Sequence, residues 1–298
     1  MKRNPVNKII LEGPDLSGKT TLYEMIHKKT GYQWNIQDRS ALSMLLHAKY
    51  YERDTFCHVE AVKGEIYNLN NFIIILLPDW NTIAQRFNKR GDPIQNITSL
   101  RKIYDLFKEA VEEFENYPNV MTVRCEISDW VLNTIVDSLY EFENADLKVF
   151  QEQAMNYCLT KNVTERIGLN FTHYDDGTFI DVNKLDIEYE SEKDYYQKIE
   201  QKLRAKMSDN FCDYQDKTSR RIIYADDSCI SLAHFLIRDK CLDCKFFIRS
   251  SNTRDTLYYD LNFLKYLTQI VYDIFELKGY FCKMQFTINS AHIPSKID

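Results

Sequence analysis

Glycine and proline are scarce, with eight and six among 298 residues. No repeat and no low-complexity tract appears. No apolar run reaches 18 residues, which argues against a membrane-spanning helix. No amino-terminal signal segment is visible. The eight cysteines (Cys57, Cys125, Cys158, Cys212, Cys229, Cys241, Cys244 and Cys282) are therefore expected as free thiols in reducing cytosol. Cys241-Leu-Asp-Cys244 lacks the second ligand pair that a zinc site needs, and reads as two strand cysteines. Net charge is −6, spread over both halves, so no nucleic-acid footprint is apparent.

What is present is apolar and aromatic. Hydrophobic residues make up 44% of the chain and aromatics 13%, which argues for folded, well-buried domains and against disorder. A chain of 298 residues usually exceeds one core. The clearest change of character is the polar, acidic stretch "EFENADLK" from Glu141 to Lys148. It sets the expected domains at 1–145 and 146–298.

The first half reads as an alternating α/β unit. Lys8 to Leu11 is a short buried strand, and Thr20 to Lys29 a helix with Leu22, Met25 and Ile26 on one face. Trp34 to Gln37 is a second strand and Ser40 to Tyr51 a second helix. The continuous apolar run "NFIIILLPD", Asn71 to Asp79, is expected as a central parallel strand. Ser99 to Phe114 carries a helical stripe, and Val120 to Cys125 is another strand. Strands alternating with helices predict a parallel sheet with crossovers.

Between the first strand and helix lies Gly13-Pro14-Asp15-Leu16-Ser17-Gly18-Lys19-Thr20, the G-x4-G-K-T phosphate-binding pattern. At average glycine usage it arises by chance on the order of once in a hundred chains of this length. Glycine permits the dihedrals that turn main-chain N–H groups inward. The helix terminus adds partial positive charge. Lys19 suits the β- and γ-phosphates of a nucleoside triphosphate, and the Thr20 hydroxyl suits magnesium.

The stretch Glu12-Gly13-x-Asp15-x-Ser17-Gly18-Lys19-Thr20-Thr21 resembles the loop of thymidylate kinases and deoxynucleoside kinases. In that family an Asp-Arg pair follows the next long strand, and Asp38-Arg39-Ser40, with Ser43 after it, stands in a matching place. "RFNKRGDPI", with Arg86 and Arg90, resembles their arginine-bearing lid over ATP. The resemblance covers roughly residues 8 to 140. It implies an ATP- and magnesium-dependent kinase in which Arg39 holds the acceptor's phosphate. Fixed cations suit charge spread over the transferring oxygens. The segment after Asp38-Arg39 is shorter than in the family, and it is there that the family houses part of the acceptor base. Glu12 is either a base near an acceptor hydroxyl or a strand-end residue without catalytic duty. Asp15 is a candidate for a sugar hydroxyl.

The second half reads as α+β. Tyr195 to Met207 is an amphipathic helix, and Thr218 to Tyr224 a strand. Ala233 to Ile237 and Cys244 to Ile248 are paired strands joined by a turn at Arg238 to Lys240. A long helix from about Leu261 to Leu277 and a strand from Cys282 to Ser290 follow. Ser219-Arg220-Arg221, Arg249-Ser250-Ser251-Asn252 and Ala291-His292-Ile293, in that order, resemble the carboxy-terminal half of thymidylate synthases and deoxypyrimidine hydroxymethylases. The resemblance implies that Arg249 and Ser250 bind a nucleotide phosphate. It also implies that Arg220 and Arg221 reach that phosphate from a partner subunit, hence a homodimer.

The family's nucleophile falls on Cys229, but its Pro-Cys-His is Ser228-Cys229-Ile230 here. Its tyrosine after His292-Ile293 is Pro294. The family's front half has as its nearest counterpart "NVTERIGLNFTHYDDGT". Its uracil-reading asparagine falls on Asp260, as in cytosine-using hydroxymethylases; the alternative is that Asp260 caps the following helix. Cys229 is either a nucleophile or a small apolar residue. The second half is thus an altered one-carbon transferase, which would need methylene tetrahydrofolate, or a relic that binds a pyrimidine nucleotide. The pairing of these two modules resembles a bacteriophage arrangement, working in host cytoplasm.

Overall fold

A computed structural model describes residues 6–91, 95–117, 119–144, 152, 154–155, 167–175, 190–210, 222–225 and 227–292. The chain divides into two compact units, Val6–Glu143 and the chain from Asn144 onward. The fold is α/β, with a parallel four-stranded sheet flanked by helices in the first unit and a mixed sheet in the second.

In the first unit the strands are β1 (Lys8–Glu12), β2 (Ile36–Asp38), β3 (Asn71–Leu76) and β4 (Val120–Val123). The helices are α1 (Lys19–Thr30), α2 (Ala41–Tyr50), α3 (Phe56–Ile66), α4 (Trp80–Arg90), α5 (Ile97–Phe114) and α6 (Asp129–Asn144). Strand order is β2-β1-β3-β4, all parallel. All six residues of β3 are buried, as a strand covered on both faces requires. Ile9, Leu11, Phe72, Ile74 and Leu76 pack with Leu22 and Ile26 of α1 and Ile135 and Leu139 of α6. Alternation sends Ile73 and Ile75 to the opposite face, beside Val62, Ile66 and Phe114.

The chain leaves β1 for one neighbour and returns to β3 on the other side. The carboxyl ends of β1 and β3 therefore flank a topological switch point, the crevice where open α/β sheets bind ligands.

Helix ends follow local chemistry. Gly31 closes α1 in a left-handed conformation, its N–H donating to the His27 carbonyl. Asn96 and Ser99 form a reciprocal capping box at α5. Asp79 caps α4 by accepting from Thr82 N at 3.0 Å. Of α4 only Ile83 is buried. The sequence reading missed α3, whose buried contribution is Val62 and Ile66 alone; so thin a stripe gives little periodic signal.

In the second unit, β5 (Ile167–Asp175), β6 (Ile222–Ala225), β7 (Ile230–Arg238), β8 (Cys241–Ile248) and β10 (Phe281–His292) form a sheet in the order β5-β10-β8-β7-β6. The two-residue β9 (Ser251–Asn252) pairs with β10. Helices α7 (Glu190–Asn210) and α8 (Leu257–Ile274) accompany them. Alternate residues of β8 and β10 are buried, from Leu242 to Ile248 and from Cys282 to Ile288. Parallel pairing of β8 with β10 follows from α8 serving as the crossover between them. Cys241 and Cys244 both lie on β8, Cys244 fully buried, and among the described residues no cluster could hold a metal ion by itself. No helix among the described residues is long and apolar enough to cross a membrane.

Candidate active site

The loop after β1 is built by close approach. Gly13 has φ +139°, and a Cβ there would lie 2.3 Å from the Leu76 carbonyl oxygen at the end of β3. Gly18 has φ +104° and caps α1 in the left-handed region. Between them Leu16 also adopts a positive φ, 65°. Such dihedrals fold successive N–H groups into a concave turn at a helix terminus, which favours an anion.

Lys19 is the first residue of α1 and is buried. Its Nζ donates to the carbonyl oxygens of Gly13 at 2.7 Å and Pro14 at 2.8 Å. Burial, then the nearby Arg39 charge, lowers its pKa from 10.5 to about 8. Neutral carbonyls compensate the cation only in part, so an incoming phosphate would relieve it.

Arg39 follows β2 with φ +65°, its N–H donating to the Leu11 carbonyl at 2.9 Å. Its guanidinium is ion-paired with Asp15 of the loop. The second Asp15 oxygen accepts from Gln95 Nε2 at 2.7 Å. His47, half-buried on α2, has its pKa lowered by burial and then by Arg39.

Arg86 of α4 bridges the loop from the other side. Its guanidinium donates to the Leu16 carbonyl at 2.8 Å and to Glu126 at 3.0 Å. These groups surround one cavity of about 800 Å³. Its walls hold Asp15, Gly18, Lys19, Thr20, Thr21, Asp38, Arg39, Arg86 and Arg90, all singled out in the sequence. Its size falls within the range of small-molecule sites.

Lys89, Glu126 and Ile127 line the cavity too and were missed in the sequence. The rule that ligands sit at the carboxyl ends of strands would have directed attention to Glu126 and Ile127, just beyond β4. Thr20, Asp38 and Glu126 offer the hard oxygen donors that magnesium prefers.

Glu12 stands apart from this cavity. It is fully buried at the end of β1. Its carboxyl accepts from Ser40 N at 2.8 Å, Ser40 Oγ at 2.9 Å, Ser43 N at 3.2 Å and the Ser43 hydroxyl. Burial raises its pKa despite these bonds. Of its two sequence readings, this geometry is that of a group engaged with the start of α2.

In the second unit, pairing brings distant residues together. Arg249 N donates to the Cys229 carbonyl at 2.7 Å, and Ala291 and His292 register with Ser251 and Asn252. Cys229 is exposed; Arg249 is exposed and Ser250 half-buried beside it. His292 is half-buried, its Nδ1 3.3 Å from the Ser290 carbonyl oxygen.

Asp260 does not cap α8. The cap position is Thr256, and Asp260 lies inside the first turn because the helix begins four residues earlier than its apolar pattern suggests. Its buried carboxyl accepts from Tyr196 Oη at 3.0 Å and Ser251 Oγ at 2.9 Å. Tyr196 was legible only as an apolar stripe residue. Arg220 and Arg221, Ile293 and Pro294, and residues 162–166 and 176–178 of "NVTERIGLNFTHYDDGT" lie outside the described residues, as do Cys158 and Cys212.

No protein-family model matches the chain, and no curated protein matches it. Among solved structures, the YorR protein of Bacillus subtilis in complex with phosphorylated GDP is similar at 20% identity and a TM-score of 0.39. That match covers 47% of this chain and 99% of YorR. Thymidylate synthase from T4 phage is similar at 20% identity and a TM-score of 0.24, over 27% of this chain. This chain spans 31% of the length of that enzyme.

Proposed function

We propose that the first unit transfers a phosphoryl group from ATP to a deoxynucleoside monophosphate or a deoxynucleoside. The observation that carries this reading is the convergence of Lys19, Arg39, Arg86 and Arg90 on one cavity at the mouth of a glycine-bounded loop. Phosphoryl transfer asks for positioning and fixed positive charge more than for covalent chemistry.

In this reading the loop N–H groups and Lys19 hold the donor's β- and γ-phosphates. Lys19 exchanges the carbonyls of Gly13 and Pro14 for phosphate oxygens. Arg86, with Arg90 at the exposed end of α4, covers the donor. Arg39, released from Asp15, takes the acceptor's phosphate. Magnesium, when bound with the nucleotide at Thr20, neutralises phosphate charge. A monophosphate acceptor, which needs no base to take a hydroxyl proton, fits the position of Glu12, which is turned into α2 and away from this cavity.

The experiment is ATP consumption against a panel of deoxynucleosides and deoxynucleoside monophosphates, with Lys19→Ala as control. Turnover with one acceptor, absent in the variant, supports the reading. ATP binding without any turnover would replace it with a nucleotide-binding subunit.

A second reading concerns the second unit. It binds a pyrimidine nucleotide through Arg249 and Ser250, with Arg220 and Arg221 contributed by the partner in a homodimer. In this reading the classical methylation is lost; the alternative is one-carbon transfer to C5 of dUMP or dCMP through the exposed Cys229, with methylene tetrahydrofolate. Tritium release from 5-tritiated dUMP or dCMP tests it; silence with both leaves binding alone. Sedimentation of the full chain tests the dimer.

A further inference from the structure

The start of α2 is held by two carboxyl groups from different elements. Ser40 N and Ser43 N donate to Glu12 of β1, and Ala41 N donates to Glu65 of α3 at 3.2 Å. The Ser40 hydroxyl lies between the carboxyls, 2.9 Å from Glu12 Oε1 and 2.6 Å from Glu65 Oε2. A serine hydroxyl carries one hydrogen. It can donate to one of these oxygens only. The other must bring a proton of its own, or two oxygen lone pairs face each other at hydrogen-bond distance.

We infer that Glu12 and Glu65 hold one proton between them through Ser40, and that this singly protonated pair positions Arg39. Glu65 Oε1 is ion-paired with Lys8 at 2.9 Å. Glu12 has no contact with water, and burial pushes its carboxyl up. The chain of bonds runs from Glu12 through the Ser40 hydroxyl to Glu65, and from the Lys8 ammonium to Glu65.

A void of about 10 Å³ beside the pair is bounded by Val62, Ile73, Ile75 and Phe114, so its surroundings are apolar. The other charges near the pair are Lys19 of the phosphate loop, which feels Glu12, and Arg39, next in sequence to Ser40. Arg39 itself, at φ +65°, is fixed on one side by the Leu11 carbonyl and on the other by Ser40. The pair thus sets where Arg39 leaves the sheet.

The part of this inference that concerns Arg39 rests on the kinase reading; the shared proton does not. Both are tested on the full chain. Carboxyl-carbon NMR of glutamate-labelled protein should show one carboxyl of the pair protonated at neutral pH, and E12Q should remove that signal. In E65Q the carboxyl of Glu12 should titrate at lower pH, because the facing charge is gone. Two carboxyls titrating in the ordinary carboxylate range would overturn the shared proton, whatever the protein's activity.

For the positioning role, E12A should raise the acceptor KM on the order of tenfold to a hundredfold. E12Q, which keeps the shape and the donor, should restore it. Loss of kcat in E12Q with KM unchanged would make Glu12 a base and overturn the role. Should E12A fail to fold, the E12Q result alone decides between the two.

Discussion

Arg39 is ion-paired with Asp15. The arginine proposed to take an acceptor's phosphate is thus held by a carboxylate of the loop that follows β1. An anion that takes Nη2 of Arg39 competes with Asp15 for it. Exposed pairs of this kind contribute about 0.2–1 kcal/mol. Asp15→Asn should therefore tighten pyrophosphate binding by up to roughly fivefold. Calorimetric titration of both proteins measures it. Unchanged or weaker pyrophosphate binding would show that Asp15 does not compete for Arg39. A sugar-hydroxyl role for Asp15 would appear separately, as weaker binding of a deoxynucleotide by the variant.

Lys19→Ala should lower kcat/KM by at least 10²–10³-fold, the usual effect of removing one fixed transition-state donor. The variant should stay folded, because a partly compensated buried cation is being removed. Circular dichroism and thermal melting check the fold. Activity close to that of the parent would reject the phosphate role.

The pKa of Lys19 gives a pH test with a definite sign. Its folded value, about 8, lies below the ordinary 10.5. Between these values the unfolded chain holds more protons at this position than the folded chain. This residue therefore makes stability rise with pH across that window. Below about pH 8 both states are protonated and the full cost of the buried cation remains. Urea unfolding of the parent and Lys19→Met from pH 7 to 10 should show a steeper rise in the parent. ATP affinity should fall as pH climbs through the same value, as the ammonium is lost. Parallel stability profiles would show that Lys19 is not perturbed.

Gly13→Ala should destabilise the first unit by at least about 1–3 kcal/mol, since it combines strained backbone with a collision at the Leu76 carbonyl. Gly31→Ala is the control. Its φ is +61° but nothing lies within 4 Å of the added Cβ. It should cost only about 1–2 kcal/mol. Equal losses in denaturant titrations would show that the close approach at Gly13 is unimportant.

Thiol labelling reports the second unit without assuming activity. Cys229 is exposed, whereas Cys244 and Cys282 are buried. Burial raises the Cys244 pKa well above its ordinary value. Cys229 should react with iodoacetamide within minutes and the buried pair only on unfolding, read by peptide mass spectrometry. Protection of Cys229 in the full chain would indicate that a partner or another segment covers it.

Much of this protein was legible in its sequence. The G-x4-G-K-T spacing marked the tight turn between β1 and α1, where glycine alone readily takes φ +139° against the Leu76 carbonyl. The apolar run at 71–79 announced the central strand, because a strand covered on both faces needs no polar alternation. Its strand ends at Leu76, however, whose carbonyl lies against Gly13 of the loop.

Tertiary structure decided the rest. That Glu12 faces Ser40, Ser43 and, through Ser40, Glu65 depends on β1, α2 and α3 meeting, and spacing along the chain cannot reveal it. Nor could it reveal that Glu126 meets Arg86, or that Asp260 lies between Tyr196 and Ser251. Local pattern records periodicity and dihedral demand. Which polar groups meet in the interior is set by packing, where each buried donor and acceptor takes the partner that three dimensions bring to it.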